Sequence, residues 1–226
     1  MTGLPRWSAV PDEPLPRHVV AAFDVDHTVT SRDCVVPFMR RVAGRLPFVA
    51  RLGLAAARNV SALARRDRDH LKAAIAHAVF AGRSAAEVEQ LGEAFAAELV
   101  EDGLRPDTMA RMRWHHEQGH DVLFVSASFA AYLQPLARRL GVITGVLCTE
   151  LVVGPDGRYT GELLGGNCRG QAKVHRLHAW LAEHRGGRTA VDVWAYGDSP
   201  GDVELLFDAD HPVWTDTVLE SPGPVR

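Results

Sequence analysis

Lysine is nearly absent from this chain. It has 226 residues and 25 Lys+Arg, yet only Lys72 and Lys173 are lysines. Arginine serves as well on most solvated surfaces, so a coding bias explains most of the shortage. A lysine that survives such a bias still needs a reason. Cysteine is scarce too. Cys34, Cys148 and Cys168 cannot all pair with one another, and no CxxC or Cys/His metal spacing is present. That excludes a disulfide scaffold and a zinc module, and points to reduced thiols in the cytoplasm. No long apolar run exists. Val122 to Ala137, the longest clearly apolar uncharged stretch, contains Ser126, Ser128, Gln134 and Pro135 and is too short to span a bilayer. Residues 1–17 are punctuated by proline and lack the apolar core of an export signal. Net charge is only −3, which argues against a general nucleic-acid partner. No G-x-x-x-x-G-K-[ST] occurs, so a P-loop nucleotidase is excluded. No repeat or low-complexity segment is present.

What is there is the composition of a folded protein. At 46% hydrophobic and 23% charged, the chain suits one or two globular units with a real core, not disorder. His18 to Phe23 (HVVAAF) is a short apolar run that stops at Asp24 and Asp26, which reads as a buried strand with acids at its end. From residue 35 to 105 the character changes to Ala, Leu, Arg and Glu at helical spacing. One helix is expected from Asp69 to Ala81, stopping at Gly82. Another is expected from Ser84, which opens a capping box with Glu87, to about Val100. After Pro106 strand and helix signals alternate. A helix is expected over Asp107–Glu117, a strand over Asp121–Val125 (DVLFV) and a helix over Phe129–Leu140, closed by Gly141. Val146–Val153 and Arg158–Leu163 flank Gly154-Pro-Asp-Gly157 as a hairpin. A helix over Gln171–Glu183 and a strand over Ala190–Tyr196 follow, and the last few residues look frayed. The pattern predicts an α/β fold: a doubly wound, mostly parallel sheet (residues 1–34 and 106–226) interrupted by a helical insertion (35–105). Such sheets bind ligands beyond the carboxyl ends of their strands.

Four positions could carry chemistry, three of them after apolar strands and the fourth at a helix start. Asp24-Val-Asp26-His-Thr28 offers two carboxylates. One can attack as a nucleophile, the other can move a proton, and both attract a hard cation such as Mg²⁺. Alone, the same spelling fits an acidic turn capping a helix. Ser126, directly after DVLFV, can donate to a phosphate oxygen or simply cap a helix. Lys173 follows the glycine-rich Gly165–Gly170 and can neutralise a transferring phosphoryl group. Its ordinary alternative, a solvated surface lysine, is weakened by the scarcity of lysine. Gly197-Asp198-Ser-Pro-Gly-Asp202 can ligate a metal through one acid and orient its surroundings through the other.

Acid pair, hydroxyl, ammonium and acid pair, in that order, resemble the haloacid dehalogenase superfamily of phosphotransferases. The resemblance covers most of the chain and implies specific roles. Asp24 is the nucleophile, forming an aspartyl-phosphate. Asp26 protonates the leaving oxygen and then activates water, and its backbone carbonyl helps hold Mg²⁺. Asp198 ligates the metal, Ser126 and Lys173 bind the phosphoryl group, and Thr28 supports the loop. Asp202 positions Lys173 or the water around the metal. An acid at the position of Asp26 marks phosphatases within the superfamily. The helical insertion, with Tyr159-Thr-Gly-Glu-Leu and Asn167-Cys-Arg-Gly170 before Lys173, is similar to the phosphoserine-phosphatase-like branch. There it forms a small cap.

The resemblance is weaker around the substrate. Asp33 stands where that branch has a glutamate for the substrate's ammonium. No single arginine here aligns with the branch's cap arginine, and His211-Pro-Val-Trp214 replaces its usual continuation. The expected substrate is a small phosphorylated metabolite, phosphoserine-like or histidinol-phosphate-like. A phosphotransferase of the same superfamily is an alternative. Another alternative comes from residues 34–66, which hold seven arginines and no acid. Arg51, Arg58 and Arg65 recur every seven residues and drift only about 20° per step, forming a basic stripe. Phe48, Val49, Leu52, Ala55, Ala56 and Leu63 could supply an apolar face. The stripe reads first as a solvated helix face. It could also steer anions, or rest on anionic lipid and serve a lipid-phosphate phosphatase. Membrane contact is otherwise not expected. A receiver-like switch also uses an Asp and a Lys on an α/β sheet, but the long insertion argues against it. His115-His116 are expected to be structural or surface residues, since neighbours in a helix do not face together.

Overall fold

The computed structural model describes residues 17–44, 47–51, 53 and 67–219. A six-stranded sheet has the order β4-β3-β2-β1-β5-β6. Its strands are β1 His18–Phe23, β2 Asp121–Phe129, β3 Gly145–Val153, β4 Tyr159–Leu164, β5 Val191–Gly197 and β6 His211–Trp214. All neighbours are parallel except the hairpin β3–β4. The helices whose bounds fall among the described residues are α1 Val35–Ala43, α2 Arg68–Phe80, α3 Ala85–Glu98, α4 Pro106–Glu117, α5 Ala130–Leu140, α6 Gln171–Arg185 and α7 Val203–Asp208. This is the expected mixed α/β, Rossmann-like architecture.

The apolar run of β1 is explained by coverage on both faces. Ala21 and Phe23, with Val122 and Phe124 of β2, face one apolar cluster that includes Phe38, Phe80 and Phe95 of α1, α2 and α3. Val20 and Ala22, with Leu123 and Val125, face the other cluster, which includes Leu177 and Leu181 of α6 and Leu205 of α7. Successive residues of a strand point to opposite faces, so a strand buried on both sides reads as continuously apolar.

Local signals place the helix ends. Asp67 accepts from the His70 N–H at the start of α2, and Ser84 accepts from the Glu87 N–H at the start of α3. α5 ends at Gly141 with φ 69°, as its glycine predicted. Three elements differ from expectation, one of them α7, since no helix was expected after Asp202. β2 runs on to Phe129 instead of ending at Val125, because its pairing with β3 shifts register after Ser126 and resumes at Phe129. β6 was not anticipated. It is four residues long and contains Pro212, and it lies at the sheet edge, where a missing N–H is tolerated.

Between β1 and β2 the chain leaves the sheet for α1 to α3 and returns through a π-helical turn, Leu99–Gly103, into α4. The outgoing and returning segments run side by side. Ser31 N–H donates to Gly103 O at 2.8 Å, and Arg105 N–H donates to Val29 O at 2.9 Å. Of the arginine stripe, Arg51 turns back onto the protein, donating to the carbonyls of Ala78 and Val79. Phe48 is buried and Val49 is exposed. Arg58, Arg65, Leu52, Ala55, Ala56 and Leu63 lie outside the described residues. Among the described residues no helix is long and apolar enough to cross a membrane.

Candidate active site

The three central strands β2, β1 and β5 run parallel, so their carboxyl ends lie side by side. Asp24 follows β1, Ser126 lies near the end of β2, and Asp198 follows β5. Lys173 enters from the first turn of α6. A cavity of about 150 Å³ is lined by Asp24, Asp26, Ser126, Lys173, Asp198 and Asp202, with His27, Ala127, Arg169, Ser199 and Gly201 around them. Six of the eight residues singled out in the sequence therefore share one cavity.

Lys173 is its electrostatic centre. The side chain is buried, with Nζ 2.6 Å from Asp24 Oδ1 and also bonded to Asp202 Oδ1. Burial disfavours its charge, but the two carboxylates outweigh that and hold its pKa above the ordinary lysine value. The other oxygen of Asp202 accepts from the Ser199 N–H at 3.0 Å and the Ser199 hydroxyl at 2.7 Å. Asp202 is thus bonded to Lys173, one of the two roles left open for it. A Cβ on Gly197 would sit 2.5 Å from the Asp202 Cβ, so a side chain there would push Asp202 off the lysine.

Asp26 faces elsewhere. Its Oδ2 accepts from the Ser128 hydroxyl at 3.0 Å and its Oδ1 from the Cys34 N–H at 3.2 Å. Burial and the neighbouring charge of Asp24 push its pKa up to about 7. Burial likewise raises Asp24 to about 6, against the opposing pull of Lys173. A carboxyl near 7 can both give and take a proton at neutral pH. An acid raised in the folded state costs stability above its unfolded value. Here that cost starts near pH 4 and is complete above about pH 7. Asp26→Asn is therefore expected to raise the melting temperature of the metal-free protein at pH 8 and to leave it unchanged at pH 4. Thermal melts in EDTA at the two pH values test this, and an equal shift at both would refute the assigned protonation.

Thr28 is buried and donates to Asp198 Oδ1 at 3.1 Å. Its carbonyl accepts from the Thr108 hydroxyl, so α4 supports the loop. His27 takes φ 59°, a left-handed conformation uncommon for a residue with a side chain. Its carbonyl is held by Arg105 Nη1 at 2.9 Å, and the same guanidinium binds the carbonyls of Thr215 and Thr217. Asp33 stands apart from the cavity lining. Its Oδ2 accepts from the Val36 N–H at the start of α1. His115 is buried against Tyr196, with Nε2 2.9 Å from the phenol oxygen, whereas His116 is exposed.

Three residues here escaped the sequence reading. Ser128 carried a usable signal, since it follows Ser126 at the two-residue period of a strand face. Arg105 carried none, because its partners lie in three separate segments. Ser199 lies in Gly197–Gly201, which spells the G-x-S-x-G elbow of serine hydrolases. Its hydroxyl is bonded to Asp202, and among the described residues no imidazole is hydrogen-bonded to it, so it lacks the base that activates a nucleophile.

A hard cation fits this site. Asp24, Asp198 and Asp202 each offer a carboxylate oxygen, all within 4.8 Å of one another. The donors are all oxygen, as Mg²⁺ requires. Burial raises the pKa of both Asp24 and Asp198, and the charge of Asp202 adds to the rise in each, a repulsion that a bound cation would oppose.

Residues 21–206 match the family model described as haloacid dehalogenase-like hydrolase. The chain is 36% identical to protein CicA of Caulobacter vibrioides over 194 residues, covering 85% of this chain and 83% of that protein. It is 32% identical to phosphoserine phosphatase SerB1 of Mycobacterium tuberculosis, covering 85% of this chain and 63% of the relative. A crystal structure of a Bordetella pertussis protein superposes with a TM-score of 0.68 at 26% identity, covering 84% and 86% of the two chains. Taken with the buried acids at the strand ends and the buried lysine beside them, the match shows that this chain belongs to the haloacid dehalogenase-like hydrolase family.

Proposed function

We propose that the chain is a Mg²⁺-dependent phosphomonoester hydrolase acting through an aspartyl-phosphate on Asp24. The observation that carries this reading is the Lys173–Asp24 contact of 2.6 Å, beside a second carboxyl, Asp26, poised near pH 7. Lys173 holds one oxygen of Asp24 and keeps the carboxylate ionised in a buried site. An Asp24 oxygen attacks phosphorus, and the bond from phosphorus to the ester oxygen breaks. Protonated Asp26 gives its proton to that leaving oxygen. Ionised Asp26 then takes a proton from water as the water oxygen attacks phosphorus. The bond to Asp24 breaks, releasing inorganic phosphate and restoring both carboxyls. Ser126 and Lys173 hold the phosphoryl oxygens. Asp24, Asp198 and the Asp26 carbonyl are the proposed Mg²⁺ ligands, and the bound ion offsets charge on the phosphoryl oxygens.

The substrate is a small phosphorylated metabolite, phosphoserine-like or histidinol-phosphate-like. A cavity of about 150 Å³ suits a phosphoryl group with a short carbon chain. The helices between β1 and β2 act as a cap over it. The free, buried Cys34, Cys148 and Cys168 suit a reducing cytoplasm. EDTA should silence hydrolysis of an aryl phosphate, and added Mg²⁺ should restore it. Full turnover in EDTA would overturn the metal assignment. Phosphate release from phosphoserine, histidinol phosphate and lysophosphatidic acid then ranks the substrate classes. A phosphorylated acceptor in place of free phosphate would indicate a phosphotransferase.

A further inference from the structure

Lys72 is the second of the two lysines, and the chemistry above does not use it. It lies on α2, in the helical insertion, yet its ammonium reaches the sheet. Nζ donates to the carbonyl of Ala127 and, at 2.7 Å, to Oδ1 of Asn167. It also lies 5.1 Å from the centre of the Phe129 ring. Ala127 sits between Ser126, assigned to the phosphoryl group, and Ser128, which holds Asp26.

Asn167 has a second bond to the same helix. Its Nδ2 donates to Asp69 Oδ1 at 2.7 Å. Asp69 and Lys72 are three residues apart on α2 and so share a face. Thr149 also donates to Asn167 Oδ1, at 3.0 Å, and itself accepts from the Cys168 N–H at 3.1 Å. The amide is therefore fixed in one orientation by its partners, with oxygen toward Lys72 and nitrogen toward Asp69. Burial lowers Lys72 to about 8, which leaves it mostly charged at neutral pH. A charged donor held by two acceptors and an aromatic face is a costly feature to keep in a half-buried position unless position matters.

We propose that Lys72 is a positioning residue that the helical insertion supplies to the phosphate-binding strand, and that Asp69 and Lys72 grip Asn167 as a two-point clasp seating the insertion over the site. The ammonium fixes the Ala127 carbonyl, and through it the directions of Ser126 and Ser128. The site is complete only when α2 is seated. This rests on the phosphohydrolase reading of the cavity.

The clasp can be reversed on paper. In Asn167→Asp the new carboxylate still accepts from Lys72 and Thr149 but meets Asp69 as a like charge. Adding Asp69→Asn restores the bond with donor and acceptor exchanged. Lys72→Met and Asn167→Asp should each lower kcat on an aryl phosphate about tenfold or more, with KM changed less. The double variant Asp69→Asn/Asn167→Asp should recover most of the loss. A double variant no better than Asn167→Asp, or Lys72→Met with wild-type kcat, would overturn the proposal. A loss confined to KM would make Lys72 a substrate contact and overturn it equally. Hydrogen exchange keeps the two readings separable. The α2 amides should exchange faster in Asn167→Asp and slow again in the double variant. If wild-type protein hydrolyses no phosphoester, the phosphohydrolase reading fails, while the exchange pattern still decides the clasp; unchanged exchange overturns it.

Discussion

Asp24→Asn is expected to reduce phosphate release by about 10⁴-fold or more, the scale on which a nucleophile's removal reads. The amide has the size of the carboxylate but lacks the charged oxygen that attacks phosphorus. The fold should survive. Asp24 is a buried acid whose pKa burial lifts to about 6, and Asp202 adds repulsion, so its ionised form is not a source of stability. Lys173 keeps a partner, since Asp202 remains bonded to it. A melting temperature at or above that of wild type, together with lost turnover and no acid-stable phosphate label on the protein, is the expected combination. Normal turnover in this variant would remove Asp24 from the mechanism. Lost turnover with a collapsed melting curve would show only that the site holds the fold.

Lys173→Met should damage both activity and stability. Its side chain is only 2% exposed and lies between Asp24 and Asp202, themselves 9% and 1% exposed. Methionine fills the space without the charge. Two carboxylates are then buried with no cation, and breaking such a pair costs about 3–5 kcal/mol. The pH dependence distinguishes this from a packing defect. In the wild type the raised lysine pKa means the pair stays charged and its contribution persists until pH passes well above the ordinary lysine value. In the variant Asp24, already raised by burial, loses the opposing pull of Lys173 and its pKa rises further. The penalty is then present at pH 8 and fades as acidification protonates Asp24 toward pH 4. The gap in melting temperature between wild type and variant should narrow accordingly. A gap constant across that range would mean that lost packing, not lost charge, is responsible. Lys173→Arg restores a charge but not the shape, because a planar guanidinium cannot occupy the point between two converging carboxylates. It should recover stability more than turnover.

The scarcity of lysine acquires a physical meaning from these contacts. In a chain rich in arginine, Lys173 is buried and Lys72 is half-buried. Lys173 lies between two carboxylates, and Lys72 lies between a carbonyl, an amide oxygen and a ring. Each position takes a compact, rotatable ammonium. The sequence singled out Lys173 because a glycine-rich turn precedes it at a helix start. Lys72 had no such local mark. It sits in an ordinary helical stretch, and its partners are 55 and 95 residues away.

The same divide runs through the whole molecule. The sequence by itself determined β1 to the residue, the start of α2 to within a residue, the start of α3, the glycine stop of α5, and the placing of acids and serine at strand ends and of a lysine at a helix start. Those features depend on a few neighbouring residues: apolar runs that need two covered faces, caps that satisfy a nearby N–H, glycines that accept positive φ. It missed β6, whose edge position lets Pro212 stand in a strand. Only the tertiary structure decided that Asp202 bonds Lys173, that Asp26 turns to Ser128 and that Arg105 holds the His27 carbonyl. The pairs Lys173–Asp24 and Ser128–Asp26 span 149 and 102 residues. Parallel strands set such partners side by side through the order of the sheet, and that order is a property of the folded chain, not of any local stretch of it.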